Sequence, residues 1–272
     1  MTEGLQGMLF GTAAGTDEDK PADGDGTQEL RICALNVNSP SPARGQRLLD
    51  WLLATRCNVL VLTEMQPSEG CRLILTGLEA EGFQPSCTAG WQASRYLTTV
   101  ATTGFSVSTV QPAAFDPRIV TVDLATVSRA VRIVGVYAPT NGMTTDSSTR
   151  RQDFQQRLLH HLAAIRRPAL CVVGDLNVIE PGHQPSLPGF ESHDYAFYTG
   201  LLSLGLLDAY RTLRPDGRDH SWINPRFGSQ RLDHALISHA TGAIRECSYD
   251  HAPRQGQLTD HAALLTTVQL GP

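Results

Sequence analysis

The chain has 272 residues, enough for one large core or two small ones, and its 41% hydrophobic content is that of an ordinary soluble globular protein. The formal net charge of −5 is unevenly spread: residues 1–30 hold seven acids against one lysine, whereas residues 31–272 hold 20 acids against 21 arginines. A near-neutral body excludes a domain that coats polyanions by bulk charge, so affinity for one must come from a local patch. All bases after residue 30 are Arg, whose planar fork suits phosphate; GC-rich coding bias produces the same composition. No apolar run is long enough to span a bilayer, and the N-terminus lacks a basic region followed by an apolar one. Cys33, Cys57, Cys71, Cys87, Cys171 and Cys247 are scattered without a Cys-x-x-Cys pair, several of them in apolar runs. They read as reduced core thiols, and the protein is expected in the cytoplasm, away from membranes, as a monomer.

Residues 1–29 read as an acidic disordered tail, with a short apolar group, Met8-Leu9-Phe10, before a Gly-, Ala-, Thr- and Asp-rich linker. Residues 30–272 read as one folded domain. Leu30–Asn38 opens it as a strand ending in Asn36 and Asn38. Gln46–Thr55 has a helical stripe of Leu48, Leu49, Leu52 and Leu53 after a Pro-containing loop. Val59–Leu62 is a buried strand that delivers Glu64, and Cys71–Glu81 a helix stopped by Gly82. Thr98–Val110, Ile119–Leu124 and Ala130–Tyr137 read as β. Ser147–Arg166 is helical with Phe154, Leu158, Leu162 and Ile165 inward. A strand at 169–174 follows, then a Pro-rich loop, a helix at Asp194–Leu204, an irregular segment with Trp222, and strands at Leu232–Ser238 and Ala262–Leu270. Strands outnumber helices and polar residues recur at strand ends. That pattern predicts an α/β architecture of two sheets face to face, with helices outside and a site along one edge.

The stretch Cys171-Val172-Val173-Gly174-Asp175-Leu176-Asn177 concentrates the chemistry. A short apolar strand ends in Gly, and a carboxylate and a carboxamide follow two residues apart. While the chain stays extended the two share a face and suit a proton acceptor with an orienting donor. An Asx turn closing the strand is the plainer reading of Gly-Asp-x-Asn alone. Of the nine histidines only His261, beside Asp260, has comparable surroundings; the other eight read as surface or loop residues.

Six pieces in order carry a resemblance: Leu35-Asn36-Val37-Asn38, Leu62-Thr63-Glu64, Val136-Tyr137-Ala138-Pro139, Gly174-Asp175-Leu176-Asn177, Arg231-Leu232-Asp233-His234 and Thr259-Asp260-His261-Ala262. The chain resembles the endonuclease/exonuclease/phosphatase superfamily, nearest its exonuclease III and abasic-site endonuclease branch. The Tyr in Val136-Tyr137-Ala138-Pro139, where lipid phosphatases and pancreatic-type DNases have a His motif, points to that branch. The resemblance implies a four-layer αββα sandwich of two mixed sheets. It also implies Mg²⁺- or Mn²⁺-dependent phosphodiester hydrolysis on abasic or 3′-blocked DNA. By family role Glu64 is the principal metal ligand, Asn36 and Asn38 line the same site, and Asp260 adds a carboxylate. Asp175 deprotonates the attacking water, with Asn177 holding Asp175 or the phosphate. Asp233 orients His261, which faces a phosphate oxygen, and Tyr137 donates its hydroxyl to the phosphate.

Substrate contacts are expected from Trp222, Ile223, Gln230 and Arg231. Two positions depart from the family: Gln230 stands where a bulky apolar wall is usual, and Ile223 where an aromatic is common. An apolar pocket rejects a normal nucleotide, so Gln230 weakens strict abasic specificity. RNA or a small phosphodiester as substrate, and a non-catalytic binding module, remain the alternatives. Gln6-Gly7-Met8-Leu9-Phe10 resembles the Gln-x-x-Leu-Phe peptides that dock DNA repair proteins on the bacterial sliding clamp, with Gln6, Leu9 and Phe10 as anchors.

Overall fold

In a computed structural model of the chain the described residues are 28–88, 96–110, 116–140 and 144–271. The docking motif at residues 6–10 and nearly all of the expected tail lie outside them. The first part runs β1 (Glu29–Asn36), α1 (Pro42–Ala54), β2 (Val59–Met65), α2 (Glu69–Ala80) and β3 (Gln84–Cys87). β4 (Leu97–Thr102), β5 (Ser106–Thr109), β6 (Ile119–Ala125), β7 (Ala130–Tyr137), α3 (Thr145–Ala164) and β8 (Leu170–Asp175) follow. Then come α4 (Ser192–Ser203), β9 (Leu206–Asp208), α5 (Ala209–Leu213), and a hairpin of β10 (Trp222–Asn224) and β11 (Gly228–Gln230). β12 (Asp233–Ser238), β13 (Gly242–Asp250), α6 (Ala252–Gln255) and β14 (Ala263–Leu270) end the chain.

Two six-stranded sheets result, ordered β13-β14-β1-β2-β4-β3 and β5-β6-β7-β8-β12-β9. β1 and β2 are parallel, as are β7 and β8; the other ladders are antiparallel. The period-2 geometry of strands explains why these runs are apolar throughout rather than alternating. Ile32, Val59, Val61, Cys171 and Val173 face the opposite sheet. Their neighbours Cys33, Leu60 and Leu62 face α1 and α2, and Leu170 and Val172 face α3 and α4. Helix, sheet, sheet and helix are the four expected layers. Among the described residues no helix is long and apolar enough to cross a membrane.

The boundaries differ in places from the sequence reading. α1 starts at Pro42, four residues early, because Ser41 caps it and Pro at the first helical position loses no hydrogen bond. Gly45, read as loop, lies inside α1, where a β-carbon would strike the backbone of Gly70 on α2. The segment expected as one strand over Thr98–Val110 breaks into β4 and β5 at Gly104, which has φ +77°. Trp222 sits on a hairpin rather than in irregular chain, and β3, β9 and β13 were not anticipated. Five of the six cysteines, Cys33, Cys57, Cys71, Cys171 and Cys247, are free thiols and buried.

Candidate active site

The site lies where strand ends of both sheets meet. β7, β8 and β12 bring Tyr137, Asp175 and Asp233 level: Asp175 is the register partner of Tyr137 on one side and of Asp233 on the other. In the facing sheet Asn36 ends β1 beside Thr63 of β2. Glu64 follows with φ +53° inside a register shift between Leu62 and Met65. Such a bulge re-aims a side chain that regular pleating would send elsewhere. Asn38, Ser39 and Asn177 also adopt left-handed backbone, with φ of 48°, 41° and 49°. Left-handed non-glycine residues gathered at one edge are backbone strain held by surrounding structure, as functional sites often show. Gly174 permits the turn into Asp175: it has φ +137°, and a β-carbon there would collide with the Val136 carbonyl.

Asp175 is buried, and both oxygens are engaged. Oδ2 accepts from Asn36 Nδ2 at 3.0 Å and Oδ1 from the backbone N–H of Asn177 at 3.0 Å. The second bond is an Asx turn, so the plainer reading of Gly-Asp-x-Asn holds alongside the chemical one. The Asn177 side chain does not hold Asp175; its Nδ2 donates to the Ala138 carbonyl at 2.8 Å. His261 Nδ1 lies 2.8 Å from Asp233 Oδ2, as expected. A carboxylate only accepts, so Nδ1 carries the proton, and Nε2 has no hydrogen-bond partner among the described residues. Tyr137 departs from expectation: its hydroxyl donates to Glu64 Oε1 at 2.8 Å and so is already committed.

The charges act on one another. Burial raises the Asp175 pKa, and Asp233 and Glu64 push it further up against the opposing pull of His261 and Asn36. Burial alone would lower His261, but Asp233, then Asp175 and Asp260, outweigh it and raise the imidazole to about 10. Burial raises Asp260 too, yet the charge of His261 and hydrogen bonds from Trp222 and Asn38 bring it below the ordinary carboxylate range. The Asp260 oxygens receive Asn38 Nδ2 at 2.8 Å and Trp222 Nε1 at 3.0 Å.

The residues present fit a hard divalent cation. Asp175, Asp233 and His261 gather within 4.8 Å of one another; the imidazole, protonated against Asp233, offers no lone pair, so the donors for a cation are the carboxylate oxygens. Asp233 Oδ1 is buried without a hydrogen-bond partner, and Glu64 Oε2 has none among the described residues. Four clustered carboxylates face one protonatable imidazole, an excess of negative oxygen that a cation would offset.

A cleft of about 300 Å³ opens on this group, lined by the polar Glu64, Asp175, Asn177, Asp260, His261 and Gln230 and by the apolar Trp222, Phe227, Phe190 and Leu232. One expected contact is overturned, and a second lies outside the cleft. Arg231 is 1% exposed, its Nε donating to Glu180 Oε2 and Nη2 to Asp208 Oδ2, both at 2.8 Å. A guanidinium drawn inside needs carboxylates about it, and these two enclose it away from the cleft. Ile223 is 43% exposed on β10 and does not line the cleft. The aromatic wall comes instead from Phe227, whose ring stacks on Trp222 with centroids 6.4 Å apart. Sequence reasoning missed it, although Asn224-Pro225 and Gly228 signal the turn that returns Phe227 to Trp222. His183 lies in a loop, as read, yet is buried; His234, read as a surface or loop residue, is buried on β12 with Nδ1 3.4 Å from Asp208.

No family model and no curated protein matches the chain. Solved structures do. The chain is similar to the 3′ phosphatase NExo from Neisseria, bound to a product DNA hairpin, with a TM-score of 0.73 at 19% identity over 89% of this chain and 100% of that one. It is similar to the 3′-5′ exonuclease NExo from Neisseria meningitidis, with a TM-score of 0.71 at 20% identity over 88% and 100%. An AP endonuclease from Archaeoglobus fulgidus gives a TM-score of 0.71 at 19% identity over 87% and 98%. The chain therefore has the αββα fold of these nucleases, the fold that its resemblance to the endonuclease/exonuclease/phosphatase superfamily led us to expect.

Proposed function

We propose that the chain is a divalent-metal-dependent phosphodiester hydrolase acting on DNA, with abasic-site endonuclease and 3′-end-cleaning 3′-5′ exonuclease activity. The observation that carries the reading is the pairing of a buried, doubly hydrogen-bonded Asp175 with a charged His261–Asp233 couple in one cleft. Asp175 orients the attacking water and takes its proton; its raised pKa makes it a better base than an exposed carboxylate. His261, held protonated by Asp233, presents Nε2–H to a phosphate oxygen where charge develops. Asn177 lines the cleft, and because its nitrogen is engaged by the Ala138 carbonyl it has only its carboxamide oxygen to offer, as an acceptor. Tyr137 orients Glu64 through its hydroxyl.

Glu64 is the principal ligand of Mg²⁺ or Mn²⁺, with Asn36, Asn38 and Asp260 bordering the same site. The bound cation supplies positive charge to the phosphate oxygens. Trp222, Phe227 and Phe190 offer faces to the sugar or base next to the reacting phosphate, and Gln230 places a polar edge among them. Incision of an abasic duplex in Mg²⁺, set against the same duplex in EDTA, tests the reading. Metal-dependent incision is expected; intact abasic and 3′-blocked duplexes after incubation with folded protein overturn it.

We infer a cytoplasmic location and a docking role for the N-terminal segment. In the sequence Leu9 and Phe10 form an apolar pair ahead of an acidic, Gly-rich stretch, and Gln6 would supply a directional hydrogen bond, which suits docking on the sliding clamp. Titration of a labelled peptide of residues 1–15 with purified clamp should show saturable binding that Leu9→Ala and Phe10→Ala remove. A flat titration ends the clamp assignment.

A further inference from the structure

Phe190 stands in the cleft wall, on the loop that leads into α4, and two anchors fix it. Its ring meets a guanidinium: the central carbon of Arg151, on α3, lies 5.6 Å from the ring centre. Its chain is held one residue further on, where the Glu191 N–H donates to Asp194 Oδ2 at 2.9 Å. Asp194, in the first turn of α4, joins the two anchors. Its Oδ1 accepts from Arg151 Nε and from Gln155 Nε2, both at 2.8 Å, and its Oδ2 pairs with Arg151 Nη2.

Arg151, Gln155 and Asp194 are all buried. A buried ion pair is a poor device for merely joining two helices, because apolar residues of like volume often hold them as well or better. What the pair adds is a charged seat for an aromatic ring. A cation against a π-face draws the ring to one place, and the attraction grows where water is excluded. A ring already fixed before the substrate arrives spares the cost of ordering it during binding.

We propose that Arg151 is a positioning residue for substrate recognition: with Asp194 it fixes the Phe190 ring as the face against which the sugar or base beside the reacting phosphate packs. The inference rests on the nuclease reading and adds to it the residue pair that sets the shape of that wall. Arg151 also lines the cleft, so a direct contact with DNA is the competing account. The two accounts differ in what removal of the ring does. A seat matters only while the ring is there, whereas a direct contact is indifferent to Phe190.

The test is a double-mutant cycle of Arg151→Met and Phe190→Leu in the full chain. A fluorescent DNA duplex with a recessed 3′ end is titrated by anisotropy in EDTA, and exonuclease kcat and KM are measured in Mg²⁺. Phe190→Leu should weaken binding about tenfold, the scale of one base–aromatic contact. Arg151→Met should weaken binding about fivefold and raise KM by a similar factor with kcat little changed, since the wall bears on binding rather than on the reacting atoms. Combined with Phe190→Leu, it should cost nothing more. Arg151→Lys keeps a cation at the ring and should recover most of the affinity. Arg151→Gln, which can still donate to Asp194, takes the place of the Met variant if that one does not fold. A loss that persists in full once Phe190 is replaced assigns Arg151 a direct contact, and a lowered melting temperature with unchanged affinity assigns it to packing; either overturns the inference. Absence of cleavage by the wild type in Mg²⁺ overturns the nuclease reading, while the binding cycle still reads the role of Arg151; cleavage with no coupling overturns the positioning role alone.

Discussion

His261 Nδ1 and Asp233 Oδ2 stand 2.8 Å apart, joining the loop before β14 to the first residue of β12. The bond crosses from one sheet to the other. Asp233 is also the register partner of Asp175, so one carboxylate conditions both the candidate base and the candidate electrophile. This arrangement sets the behaviour expected of several variants.

Asp175→Asn should lower turnover by about 10²–10⁴, the usual cost of removing a general base, with more if water positioning is also lost. The change is nearly isosteric, and the one remaining side-chain oxygen can keep the Asn177 N–H, at the loss of the bond from Asn36 Nδ2. Circular dichroism should therefore match the wild type. Near wild-type turnover by the folded variant would remove Asp175 from the mechanism.

The pH profile should shift in Asp233→Asn. Asp175 acts ionised, so activity is present above its pKa; His261 acts protonated, so activity is present below its own, about 10. Asp233 raises both values, and its neutralisation lowers both. The acid and alkaline limbs of kcat/KM should therefore both move to lower pH. Limbs that stay in place while the rate falls would assign Asp233 a packing role only.

Glu64→Gln should raise the Mg²⁺ concentration at half-maximal activity by on the order of tenfold or more, with DNA affinity in EDTA little changed. Gln keeps an acceptor for the Tyr137 hydroxyl, so the local hydrogen bond survives while the ligand charge is lost. An unchanged metal titration would place the cation elsewhere.

Gln230→Leu should increase the ratio of abasic incision to exonuclease rate. The Gln230 amide now donates to the Phe227 carbonyl at 3.0 Å and puts a polar edge in an aromatic wall. An apolar side chain would better meet a sugar that lacks its base. Loss of the amide bond costs about 0.5–1.5 kcal/mol, so thermal unfolding should be followed in parallel. A ratio that falls or stays level in a folded variant contradicts the pocket argument.

The sequence by itself determined the layers and the ends of the strands. Val59–Leu62 and Cys171–Val173 are apolar at every position because both faces of each sheet are covered. A carboxylate cannot continue such a run without a partner, so Glu64 and Asp175 had to mark where the apolar run ends and polar partners begin. Only the tertiary structure decided which ends meet. That Asp233 lies level with Asp175 follows from the antiparallel β8–β12 ladder, and that His261 reaches Asp233 follows from the sheets facing each other. Neither pairing leaves a local pattern. The same limit explains Arg231 and Phe227. Adjacency to Leu232-Asp233 placed Arg231 near the cleft, but the choice between cleft and interior was made by Glu180 and Asp208, 51 and 23 residues away. Phe227 enters the wall because a hairpin folds it back on Trp222. Local chemistry records burial and chain reversal; the partners are chosen by contacts between residues remote in the chain, and those exist only once the sheets have formed.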